Sequence, residues 1–122
     1  MLSFASQIRI ACDTAKNSTA RVSGLEAPRF ADDETTFAQL QARIKSTLAW
    51  LETVPFDAFD WHEASDITFS ISRDKTRTLS SEDYLKYHAL SNFIFHFVTV
   101  YGLLRHAEVN NGKVDYLIGS GN

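Results

Sequence analysis

A chain of 122 residues has the length of a single domain, and with 44% apolar residues it can bury a core rather than persist as a disordered tail. Its formal charge is −3, from 12 basic against 15 acidic side chains with no basic run, which leaves no footprint for nucleic acid or an anionic membrane. A single cysteine, Cys12, excludes an intrachain disulfide and fits a reducing compartment.

No apolar run reaches the roughly 18 residues of a membrane span, and the start Met1–Gln7 lacks the pattern of a secretory signal. A cytoplasmic location is expected. Nine Phe, four Tyr and two Trp predict a dense aromatic core.

Residues 2–23 read as a helix, because Phe4, Ile8, Ala11, Ala15, Thr19 and Val22 recur at three- and four-residue spacing on one face. Arg9, Asp13, Lys16, Asn17 and Ala20 fall on the opposite side, and Gly24 suits a left-handed cap. Residues 25–32, with Pro28, form a connector. A second helix opens near Asp33–Thr35, carries the stripe Phe37, Leu40, Ile44, Leu48 and Leu51, widened by Trp50, and stops at Pro55.

Residues 56–65 are irregular and aromatic. Ile67, Phe69 and Ile71 alternate with Thr68, Ser70 and Ser72 in the period of a strand, and Arg73–Lys75 turns the chain into a partner strand at Thr76–Leu79. Ser80-Ser81-Glu82-Asp83 starts a third helix that runs to about Ala107, roughly 40 Å long. Leu85, Leu90, Phe93 to Phe95, Phe97, Val98, Val100, Tyr101, Leu103 and Leu104 make it apolar around most of its circumference, which demands several neighbours. Asn110-Asn111-Gly112 turns the chain again, and Val114–Ile118 is a short apolar tail that packs back.

These elements specify an all-α bundle with a small β-hairpin before the last helix. Three helices and a hairpin are too few to cover the third helix on all sides. Either another chain completes the bundle or part of the natural protein is missing from this sequence; a homodimer is the favoured expectation, because an exposed Phe-rich helix is an association site in any case.

Chemistry concentrates on the third helix. His88, Asn92, His96 and Thr99, spaced four, four and three apart, line one face, and Asn92 and His96 have the spacing that lets two side chains share one atom. The plainer reading makes the stripe a hydrogen-bonded seam of a core helix. His106 lies 18 residues from His88, roughly 27 Å along the axis, so the two share no centre. With Arg105 it suits the negative end of the helix dipole.

His62, beside Glu63, reads as exposed. Cys12 reads as a small hydrophobe and Asp13–Lys16 as a surface pair, with a contribution to a cleft at a subunit boundary as the alternative. Tyr84, Tyr87 and Tyr101 are core aromatics that could also touch a ligand. A phosphate loop, a zinc-ligand cysteine set, a nucleophile elbow and a metalloprotease helix are all absent from the sequence.

Several segments in order resemble a known family: Ile8 to Lys16, Asp33 to Arg43, Asn92 to His96, Tyr101 to His106 and Gly112 to Leu117. They are similar to the domain-of-unknown-function family nineteen-ninety-three, itself similar to the DinB/YfiT-like superfamily of four-helix bundles. The resemblance implies a further helix ahead of the segment matching Phe4. It also implies a divalent ion held by one His on an earlier helix and a His-x-x-x-His pair on the last.

That pair falls on Asn92 and His96, and the stretch Gln7–Asp13 has no histidine. Zinc, nickel or iron would find one ligand of three in His96, and an Asn carbonyl is a poor substitute. No metal or other cofactor is therefore expected.

Three functions remain open. The first is a DinB-like bundle that binds a small molecule near His96, Asn92, Thr99, His88, Tyr101 and Asp13, with His96 able to act as an acid or base near neutrality. The second is a non-enzymatic homo-oligomeric interaction module. The third, a thiol transferase, follows from the superfamily alone and has no motif here.

Overall fold

The computed structural model describes residues 1–62 and 65–119, and of residues 60–62 the backbone only. Helix α1 spans Phe4–Ser23. The Ser3 hydroxyl accepts from the Ser6 amide at its start, and Gly24, at φ 76°, closes its end with an N–H donated to the Ala20 carbonyl. Helix α2 spans Phe37–Thr53. Its cap is Thr36, one residue later than the sequence suggested, in a capping box with Gln39 that satisfies both ends of the first turn.

Strands β1 (Asp66–Ser72) and β2 (Lys75–Ser80) form an antiparallel hairpin that pairs Ile67 with Leu79 and Thr68 with Thr78. Ile67 and Phe69 are buried, whereas Ile71 at the tip is exposed. The third helical region is interrupted, which the sequence did not predict. After α3 (Ser81–Asp83), capped by the Ser80 hydroxyl, comes a π-helical turn at Tyr84–Ala89, and only then α4 (Leu90–His106). A short α5 (Lys113–Ile118) follows.

Helix α1 is the axis of the molecule: α2 and α4 each pack on it rather than chiefly on one another. Two small clusters form the core. Val22, Ile67, Phe69, Tyr84 and Ala89 join α1 to the hairpin and the π-turn. Ile8, Cys12 and Leu40 join α1 to α2.

Among the described residues, the dense aromatic core expected from composition is not there. Of the nine phenylalanines only Phe69 is buried, and on α4 only His96 is. Phe37, Phe95, Phe97, Leu90, Ile94 and Val98 lie exposed. The tail packs back through Tyr116, which meets Phe97 and Tyr101, while Val114, Leu117 and Ile118 stay exposed. Among the described residues, no helix is long and apolar enough to cross a membrane.

Candidate functional site

The polar stripe of the last helix is a seam. The Asn92 amide donates to the Thr14 hydroxyl at 2.9 Å, and His96 Nδ1 lies 2.6 Å from Gln7 Oε1. Because Gln7 Nε2 donates to the Leu2 carbonyl, its Oε1 must face the ring, and Nδ1 is the nitrogen that carries the proton. Burial holds the His96 pKa below its ordinary value, so this neutral tautomer persists.

Thr99 takes no part in the seam, since its hydroxyl donates back to the Phe95 carbonyl of its own helix. Tyr101 stands against Tyr116. His106 is exposed, and Arg105 holds the Asn111 carbonyl beyond the helix end. The side chain of His62, and Glu63 altogether, lie outside what is described.

The residues present do not fit the divalent ion that the family resemblance implied. Asn92 and His96 are turned to separate partners on α1, and no three His, Cys, Asp or Glu side chains among the described residues stand close enough to hold a metal. Truncating His96 to Ala is expected to cost about 1–3 kcal/mol in urea melts, because Gln7 is then buried with an unsatisfied oxygen. Replacing both Gln7 and His96 by Leu should recover most of that loss. A His96→Ala protein as stable as wild type would contradict the seam.

A second polar centre was not legible as such. Lys16 is 4% exposed rather than on a solvated face; it pairs with Asp13 at 3.3 Å and lies over the Phe30 ring. Arg43 is buried beside it and ties α2 to α1 and to the connector through Asp13, Asp32, Glu34 and the Ala31 carbonyl. Arg9 grips Glu34 from the other side at 2.7 Å. One signal for Arg43 was present in the sequence: it falls in register between Leu40 and Thr47, the two other buried residues of α2.

Burial alone would raise the Glu34 pKa, but the hydrogen bonds from Arg43 and Arg9 hold it at about 2. A carboxyl depressed in the folded state contributes stability that is complete above its unfolded pKa, near 4.5, and is lost as pH falls toward 2. Acid titration should show this loss, and Glu34→Gln should flatten the profile in that window. An unchanged profile in Glu34→Gln would remove Glu34 as its source.

Between α2 and α4, over α1, runs an apolar trough. Ala11, Cys12 and Ala15 form its floor, Ile44 and Leu48 one wall, and Phe93 and Phe97 the other, around a space of about 340 Å³. A second hollow of about 340 Å³ shares Ala15, Leu51 and Phe93 and extends it toward Leu85 and Leu90. Burial raises the pKa of the Cys12 thiol, so it is no activated nucleophile. A separate polar cleft brings Asp13 and His88 together with Thr14, Asn17, Arg21 and Tyr84. Asn92 and His96 line neither space.

The sequence profile described as Domain of unknown function (DUF1993) matches residues 1–117. Among solved structures, a DinB family member protein from Shewanella denitrificans is similar at 39% identity and a TM-score of 0.85, over 100% of this chain and 68% of that one. No curated protein matches the chain.

Proposed function

The chain belongs to the DUF1993 family and has the DinB-like helical fold, and on that footing we propose that it is an interaction module whose trough is closed by a second copy. The observation that carries this reading is the open trough with its exposed apolar walls. Leu48 is 53% exposed, Phe97 41% and Leu90 57%, on two helices that share a neighbour and, among the described residues, have no cover.

Helix α4 is apolar on its outer side as well, through Ile94, Phe95 and Val98. The α4 helix of one copy is thus suited to lie in the trough of the other, and the reverse contact follows by two-fold symmetry. Polar side chains such as Asn92 and His96 then fix how α4 seats on α1.

Sedimentation equilibrium of untagged protein tests the proposal. A mass of two chains that dissociates on dilution is the expected result. A single-chain mass at every concentration would overturn it.

A further inference from the structure

The polar cleft lies on the face of α1 turned away from the trough, and it does not depend on the association proposed above. The π-turn makes it. One extra residue in the turn from Tyr84 to Ala89 widens the helix, and such turns recur at functional sites. Here Tyr84 and His88 both face α1, with the His88 ring stacked on Tyr84 at 5.5 Å and packed against Phe69 at 4.3 Å. Tyr84 is 1% exposed, lines the cleft, and through its hydroxyl accepts from Arg21 Nη1 at 2.9 Å.

The donors in this cleft exceed its acceptors. Among the described residues Arg21 has no carboxylate partner, the Tyr84 hydroxyl proton has no acceptor, and Asn17 has no hydrogen-bond partner. The one acid present, Asp13, is already neutralised by Arg43 and Lys16. It also stands eight residues from Arg21 along α1, about 12 Å away. The space of about 140 Å³ exceeds the need of a single water and fits a small organic group.

We propose that this cleft binds a small oxyanion, a carboxylate or a phosphate group, between Arg21, Tyr84 and His88. The guanidinium and the tyrosine hydroxyl would donate to one oxygen each, and such charge-assisted bonds are the strong ones. Burial first, then the charges of Arg21 and Arg77, lower the His88 pKa, so its ring is neutral near pH 7 and offers a single N–H. Packing against both Phe69 and Tyr84 holds that ring in place.

Titration of the full chain with inorganic phosphate, and separately with acetate, read by NMR of the His88 imidazole, tests the site. Saturable shifts with either anion support it and identify the preferred headgroup. Arg21→Gln and Tyr84→Phe, which keeps the buried ring, should each weaken binding about tenfold or more. Arg105→Gln, on the far end of α4, should leave it unchanged. Shifts that rise without saturating with both anions, or that fall equally in all three variants, would overturn the proposal.

Discussion

Replacing Arg43 by Met is expected to cost about 3–5 kcal/mol, most of the stability of a domain this size. Its guanidinium is 2% exposed and is gripped by Glu34 Oε1 at 2.8 Å, Asp13 Oδ1 at 2.9 Å, Asp32 Oδ1 at 3.0 Å and the Ala31 carbonyl at 3.0 Å. Methionine fills much of the volume but leaves Glu34 buried with Arg9 alone, and it cuts the tie between α2 and the connector. Arg43→Lys should recover only part, because an ammonium is a point charge that cannot reach three carboxylates and a carbonyl at once. Urea melts measure both. A loss below about 1 kcal/mol in Arg43→Met would mean that the network breaks even against apolar packing, which other buried ion pairs do.

Introducing a carboxylate into the trough wall should have the opposite signature. Leu48→Glu or Phe97→Glu is expected to weaken self-association by about a hundredfold or more, since an unpaired charge would be buried in an apolar contact. The folded single chain should change by only about 0.5 kcal/mol, because both side chains already face solvent. Sedimentation and urea melts on the same samples separate the two effects. A variant that unfolds while still associating would place Leu48 or Phe97 in the core instead.

Local rules were readable from the residues alone. Gly24 ends α1, Pro55 follows the end of α2, Ser80 starts α3, and the alternation at Ile67 and Phe69 makes a strand, each through contacts within a few positions. The family followed from the order of short segments along the chain. What was not readable depends on distant partners. Lys16 is charged and sits in a polar helical register, yet Asp13 and Phe30 bury it. The Asn92–Thr14 and His96–Gln7 bonds join positions 78 and 89 residues apart, so spacing on α4 revealed the stripe but not its use. Composition gave the number of phenylalanines and not where they sit; Phe93 and Phe97 wall the open trough, for among the described residues α2 and α4 lack a common cover. The π-turn left no periodic trace, as one inserted residue shifts the pattern without ending it.

Cys12 offers the most direct test that a second copy covers the trough. It is the sole cysteine, sits on the trough floor and is 8% exposed. Its labelling by an uncharged aromatic disulfide should therefore report whether the trough is open. The rate is predicted to fall as protein concentration rises, and to stay at its dilute-solution value at every concentration in Leu48→Glu. A wild-type rate independent of concentration would contradict closure of the trough by a second copy.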